Sequence, residues 1–572
     1  MPNGFWTSSQ CSIGFFIDIL STAWFQVLPN PFSSGSTINL KNNTALISNI
    51  VMVWRKVYRW WIRSLSERQT KVNEASFFMK QFRRILFLLS VLLGVMVVAA
   101  RSGAQTLMTL HSFTNSPDGA FPQYDNLILS GRTLYGTASQ GGNAGNGTVF
   151  AVSTNGTGFT NLYSFTATTY DNNTGRQTNS DGSGPAAGLI LSGNNLYGTA
   201  VYGGSSAEGS VFAVTTDGTV FTNLHSFAGY PEEGANPDSR LVLSGNTLFG
   251  TTSEGGINGA GTVFAVNIDG TGFTNLYQFQ SNNYNSMTGA DTNGSGANPI
   301  GGLVLSGNTL YGTTEYGGIS SWGGVFAINK DGTDFTNLHN FGYSDGAYPY
   351  AGLLLSGNTL YGTANQGGLD NKGTVFAMSI TGTNFTILHS FTNGPSGGGG
   401  EYPGGINPAG GLILSGNSLY GTVSGGGQFN SGAIFSIGTN GSGFTNLYSF
   451  TPAIMVYNPA TFTFVYTNSD GQSPEAGLIL AGNTLYGTAY EGGNSADGTV
   501  FSLTMSTVNT AAPQLSINLS GNNLVLTWPT NATGYTLQAA TNLLSPVWTT
   551  VTGQFAVTNL ISGAREFFRL SQ

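Results

Sequence analysis

The chain has 572 residues, of which 84 are Gly, 8% charged, 40% hydrophobic and 12% aromatic. So much apolar and aromatic material excludes a disordered chain, and the scarcity of Lys and Glu excludes long amphipathic helices, whose solvent faces need them. The formal net charge of −8 divides unevenly: residues 1–104 hold 11 of the 18 basic and 3 of the 26 acidic residues, and the rest carries −16 without the basic clusters that nucleic acid or an anionic membrane surface requires. Ser, Thr, Asn and Gly fill the polar positions and favour strands and tight turns, so the sequence predicts an all-β protein.

Taken in chain order, residues 1–78 hold a basic aromatic stretch from Trp54 to Trp61 and the only cysteine, Cys11. They read as an upstream mis-start or a disordered leader. In residues 79–104, Lys80, Arg83 and Arg84 precede an apolar run from Ile85 to Ala100, and Ser102, Gly103 and Ala104 supply the small residues of a cleavage site. This is the pattern of a signal peptide, and 16 apolar residues fall short of the roughly 20 that span a bilayer. The expected location is therefore secreted or cell-surface, with membrane contact only through this segment if it stays uncleaved. The exported chain has no cysteine, which excludes disulfides, thiolate metal sites and a Cys nucleophile.

Residues 105–505 are repetitive. Leu-Tyr/Phe-Gly-Thr begins at Leu134, Leu196, Leu248, Leu310, Leu360, Leu419 and Leu485, and 15 residues after each aromatic comes the Phe of a Gly-Thr-Val-Phe-like strand, Phe150 through Phe501. In the first six copies a Phe follows 9 residues on and another 6 beyond that. The seventh copy lacks this last strand, and Leu110-His111-Ser112-Phe113, ahead of the first copy, matches it. Each unit reads as four short strands with hairpin turns such as Ser192-Gly193-Asn194 and Asp217-Gly218. The sequence thus predicts a seven-bladed β-propeller closed by an N-terminal strand. A parallel β-helix, whose turns are much shorter than these units, is the alternative.

The string from Gly352 through Phe376, Gly-Leu-Leu-Leu-Ser-Gly-Asn-Thr-Leu-Tyr-Gly-Thr followed by Gly-Gly and Gly-Thr-Val-Phe, resembles the Gloeo/Verruco tandem repeat of choice-of-anchor proteins. The resemblance covers about residues 107–503. It implies an exported bacterial protein and brings no catalytic residues with it. The Gly-Gly pairs are also similar to those of kelch blades, whose later Tyr and Trp spacing is missing. After a linker at 506–512, residues 513–572 alternate like the strands of a small β-sandwich and resemble a fibronectin-like C-terminal module, with a possible sorting or attachment role.

The four histidines, His111, His225, His339 and His389, share one repeat position with Tyr163, Tyr277 and Tyr448, which points to packing and leaves no histidine for a Ser-His-Asp arrangement. No catalytic residues are assigned. In an antiparallel blade, the inter-blade connectors and the loops after the second strand emerge at one end, and they hold 18 of the 23 carboxylates in 105–572. Connector length runs from 19 to 35 residues between motif landmarks, and variable loops on a rigid scaffold carry binding. Asp118, Asp181, Glu233, Asp345 and Asp470 each precede a Gly and stand four residues before a Pro. They read either as turn residues accepting backbone N–H bonds or, with Glu254, Glu315 and Glu491, as ligand contacts, with Ca²⁺ as the candidate cation. The expected function is an exported, non-catalytic binding or cell-surface interaction protein whose partner is an extracellular glycan or a cell-surface protein. A propeller enzyme acting on extracellular glycans and a structural envelope or matrix scaffold are the alternatives.

Overall fold

Each Leu-Tyr-Gly-Thr copy forms the second strand of a four-stranded antiparallel sheet. In blade 2 the strands are Ile190–Ser192, Asn195–Ala200, Ser210–Thr215 and Phe221–Ser226, paired in chain order. The Gly of the motif is needed for room: a Cβ at Gly198 would come within 2.7 Å of the Phe212 ring and 2.8 Å of Leu189 Cδ2. Val211 faces His225 while Phe212 faces Asn223, so Leu224 is the extra residue of a β-bulge that recurs at the same place in the other sheets.

The computed structural model describes residues 105–505, apart from 124–125, 173–174, 282, 286–289, 395–401 and 459–462, together with the strands of 516–571. The segments expected to be a leader, a signal peptide and a linker, residues 1–78, 79–104 and 506–512, lie outside the described residues. The chain divides into the units Met1–Arg101 and Ser102–Gln572, and every described residue belongs to the second.

Seven such sheets are present, and no helix occurs among the described residues. The propeller arrangement is as the repeat predicts. In the seventh sheet Ile479–Ala481, Thr484–Ala489 and Thr499–Thr504 are joined by Thr106–Ser112, whose Thr106 faces Thr504 and Ser112 faces Thr499. The hydrophobic core lies between adjacent blades, in seven clusters. At the seam, Leu110, Phe113 and Val500 pack with Leu134 and Phe150 of blade 1, and Phe113 meets the Phe150 ring edge-on at 5.2 Å. Each interface repeats this set, which accounts for the three Phe residues of the first six units; between blades 6 and 7 Leu107 stands where the other interfaces have the third Phe.

A second contact repeats seven times. Gly147, Gly209, Gly261, Gly323, Gly373, Gly432 and Gly498 all have left-handed φ between +84° and +98°. A Cβ on any of them would approach the Cδ of the next blade's Pro (Pro185, Pro237, Pro299, Pro349, Pro408, Pro474, Pro122) within 2.9 Å. Only Gly satisfies both the backbone and the Pro.

Three two-stranded hairpins, which the repeat pattern does not predict, rise from connectors: Thr169–Asp171 with Arg176–Thr178, Asn283–Asn285 with Ala290–Thr292, and Ile454–Asn458 with Thr463–Thr467. Residues 516–571 form two three-stranded antiparallel sheets, Ser516–Ser520, Asn523–Thr527 and Ala556–Leu560 in one and Thr536–Ala540, Thr549–Thr550 and Phe567–Ser571 in the other.

Candidate functional site

Backbone bridges from Ala120 to Gln140, Ser183 to Tyr202, Ala297 to Tyr316, Ala347 to Gln366 and Gln472 to Glu491 tie each inter-blade connector to the loop after the second strand. Gly234–Ala235 pairs with Glu254–Gly255 in the same way. The two loop families therefore share one end of the ring. At the other end Asp217, Asp269 and Asp331 only cap turns, accepting the N–H of Thr219, Thr271 and Thr333 at 3.0 Å. Hydrogen bonds from Thr215 and Thr219 hold Asp217 down to about 2.

The five carboxylates that precede a Gly are latches between an outer strand and the connector that follows it. Asp181 is buried and accepts from Tyr163 Oη at 2.8 Å, Thr166 N at 2.8 Å and Thr166 Oγ1 at 2.5 Å. Asp470 repeats this with Tyr448 Oη at 2.7 Å, Thr451 N at 2.9 Å and the Thr451 hydroxyl. Where the outer strand carries His, the partner is Nε2: His111 with Asp118 at 2.9 Å, His225 with Glu233 at 3.0 Å and His339 with Asp345 at 3.1 Å. Each of the three also accepts a connector N–H, from Thr114, Ala228 and Gly342. Their oxygens are thus engaged within the fold, as the turn reading requires, and the Ca²⁺ reading loses the ligands it needs from these five. Among the described residues no group of three His, Asp or Glu side chains is placed to hold a metal ion.

The His and Tyr rings of this position do a second job. Six of the seven stack on the Phe of the next blade, among them His111 on Phe159 at 3.6 Å, Tyr163 on Phe221 at 3.9 Å and His389 on Phe444 at 3.9 Å. Burial pushes the His389 imidazole down to about 4. All four histidines are structural, which accounts for their exchange with Tyr.

Five further carboxylates at the connector end fall into two groups around the ring. Between blades 3 and 5, Asp238 stands two residues before Arg240, whose Cβ lies 3.2 Å from where Gly302 would carry its own. Burial, with the charges of Glu315 and Glu254 beside it, pushes the Asp238 carboxyl up to about 8, and its Oδ1 is buried without a hydrogen-bond partner. Burial also raises Glu315, against hydrogen bonds from Tyr316 and Tyr350. Across blades 7 and 1, burial and the charge of Glu491 push Glu475 up to about 7, while Gln123 bonds it. Glu491 accepts from Gln472 Nε2 at 2.7 Å. The structure thus brings Glu254 and Glu315 together and places Glu491 elsewhere on the same end. Sequence reasoning passed over Asp238 and Glu475 as site residues. The signal was there: each follows the repeat's Pro, where the other five blades carry the uncharged Gln123, Ala186, Ile300, Tyr350 and Ala409.

Aromatic rings border the first group. Tyr316 lies 5.4 Å from Tyr348, and Trp322 lies 5.5 Å from Tyr348 and 4.5 Å from Tyr343. Tyr348 has φ +54°, a conformation that Asn236, Asn298 and Asn407 adopt at the same repeat position. A tyrosine there costs more than an asparagine, and ring contacts on both sides offset it. Tyr316 is 40% exposed.

Fold and loops together define an all-β, seven-bladed propeller with a carboxylate- and tyrosine-bearing connector end. The Gloeobacter/Verrucomicrobia repeat matches residues 174–295 and 286–463, which together span just over half of the chain. The chain belongs to the Gloeobacter/Verrucomicrobia repeat family. Comparison with curated proteins finds no match. Among solved structures it is similar to an oligogalacturonate lyase from Vibrio parahaemolyticus, at TM-score 0.40 and 10% identity over 70% of this chain and 97% of that one. An oligogalacturonate lyase in complex with manganese gives 0.39 and 10% over 71% and 97%. A chain of a nidogen/laminin complex gives 0.30 and 15% over 48% and 81%.

Proposed function

We propose that the protein is an exported, non-catalytic binding protein that takes an extracellular glycan on its connector end. The observation that carries this reading is the cluster of Tyr316, Trp322, Tyr343 and Tyr348 beside Glu315. Aromatic faces match the apolar faces of sugar rings, while carboxylates and tyrosine hydroxyls match their hydroxyl edges. Export rests on the basic and apolar pattern of residues 79–104, and N-terminal sequencing of the protein from culture medium or cell surface tests it, with Gln105 expected first. A glycan array probed with the purified protein tests the binding. Retention on one glycan class without turnover is expected, and an array with no signal overturns the reading.

Glycan hydrolysis is the second reading, favoured by one observation: Asp238, whose carboxyl burial pushes up to about 8, lies beside a second and exposed carboxyl, Glu254, the pair of acidic side chains that such chemistry uses. Release of reducing sugar that disappears in Asp238→Asn would replace the binding reading with this one.

A further inference from the structure

We propose that a cavity over blade 2 is a binding subsite for an uncharged saccharide, an inference that rests on the glycan reading and adds to it one ligand class and a further place on the connector end. The cavity, of about 450 Å³, lies between the Thr169–Asp171/Arg176–Thr178 hairpin and the loop after the second strand of blade 2. That volume is within the range of small-molecule sites.

Its floor and walls have the chemistry of a sugar site. Tyr202 lines it and is 58% exposed. The ring is backed by Gly184, where a Cβ would come within 3.3 Å of it, so one side is held by backbone. Asn146, Asn236 and Gln177 also line the cavity. Each of these amides offers both donors and acceptors, the combination that hydroxyl groups need. Two of them are held in place: Asn146 Nδ2 donates to Thr166 O at 2.5 Å, and Gln177 Oε1 accepts from Thr168 Oγ1 at 2.7 Å.

The charge balance selects the ligand. Among the described residues, the charged ones lining the cavity are Arg176 and Glu208, which are ion-paired with each other. The two cancel, so the described lining offers no net charge to an anion or a cation. Arg176 also donates to Ser206 O at 3.0 Å, which ties the hairpin to the loop and shapes the site before a ligand arrives. A uronic acid would meet the acidic connector end around it, and a neutral sugar would not be repelled.

Calorimetric titration of the purified full chain with neutral tetrasaccharides (β-1,4-glucan, β-1,4-xylan and α-1,4-glucan) and with a β-1,4-linked glucuronic acid tetramer tests this. The expected result is binding of at least one neutral tetrasaccharide and not of the uronate. Tyr202→Ala should weaken that binding more than tenfold and Gln177→Ala severalfold, while Val220→Ala, at an exposed turn on the opposite end of the same blade, leaves it within twofold. Thermal melting checks that each variant is folded, which exposed positions allow. If Tyr202→Ala and Gln177→Ala bind like the wild type while Tyr316→Ala does not, the ligand sits at the blade 4–5 cluster. The cavity assignment is then overturned and the glycan reading stands. Binding of the uronate alone overturns the uncharged class in the same way. A wild type that binds no saccharide on the array or in the calorimeter overturns both.

Discussion

Gly498 and Pro122 meet at the seam of the ring, where a Cβ on Gly498 would come within 2.6 Å of Pro122 Cδ. Gly498 also has φ +94°. Steric conflict and left-handed strain act together, so Gly498→Ala should cost on the order of 2–4 kcal/mol. Gly158, at φ +65° with nothing within 4 Å of its Cβ position, provides the control. Gly158→Ala should cost about 1 kcal/mol from backbone strain alone. Urea unfolding of the two variants separates the contributions.

The latches predict a graded series. Asp181→Ala removes an acceptor from three donors, one of them the partly buried Tyr163 hydroxyl, and should cost about 2–3 kcal/mol. Tyr163→Phe keeps the stack on Phe221 and loses one hydrogen bond, about 1 kcal/mol. Equal losses in the two variants would mean that the two Thr166 contacts, N–H and hydroxyl, contribute nothing.

Stability should depend on pH through Asp238. Its carboxyl titrates at about 8 in the folded protein against 3.8 ordinarily, chiefly because it is buried. Between those values the folded state holds a proton that the unfolded chain has released, so stability falls as pH rises from about 4 to about 8. Asp345 acts in the other direction. Burial opposes its charge, but hydrogen bonds from His339 and Gly342 outweigh that and hold it below its ordinary value, so its contribution is lost only as pH falls through the acid range. Melting temperatures of the wild type should therefore decline from pH 5 to 8, and Asp238→Asn should flatten that decline.

His389 has no catalytic or pH-sensing part in this scheme. Held down to about 4 by burial, it is neutral at physiological pH and serves as a flat ring against Phe444. His389→Tyr, the residue used by three other blades, should change stability by less than about 1 kcal/mol, whereas His389→Ala should cost roughly 1–3 kcal/mol through lost stacking and burial. Thermal denaturation of the pair decides this.

The hairpin Ile454–Asn458 with Thr463–Thr467 exposes Ile454, Met455, Val456, Tyr457, Phe464 and Tyr466, and no charged residue lies between Thr451 and Ser469. An uncharged apolar ribbon with open edges is an aggregation hazard. Met455→Lys with Phe464→Lys should raise the concentration at which light scattering appears and leave the melting temperature unchanged.

The architecture was legible because three signals agree in every unit: the spacing of Phe, the Leu-Tyr-Gly-Thr strand and the Gly turns. The match between Leu110–Phe113 and the missing strand of the seventh unit predicted the pairing of Thr106–Ser112 with Thr499–Thr504. The site was less legible, for a physical reason. A carboxylate such as Asp181, which recurs with the period of the repeat, is repeated because the fold uses it in five of the seven blades. The residues that differ between blades, such as Asp238, Glu475, Tyr202 and Tyr348, are where one unit is specialised. Their surroundings arise only when connectors from different blades are folded together, and no spacing along the chain reveals that. The hairpin that roofs the blade 2 cavity was hidden for the same reason, since its strands are only three residues long.

The seam has a consequence for motion. A linear stack of repeats frays from its terminal units, because those have a neighbour on one side only. Here Thr106–Ser112 gives the last sheet its fourth strand, and Gly498 and Pro122 give it the same packing toward blade 1 that every other blade has toward the next. No blade is terminal. Amide hydrogens of Thr499–Thr504 should therefore exchange with solvent as slowly as those of Gly324–Asn329 on the far side of the ring, and the propeller should open all at once or not at all.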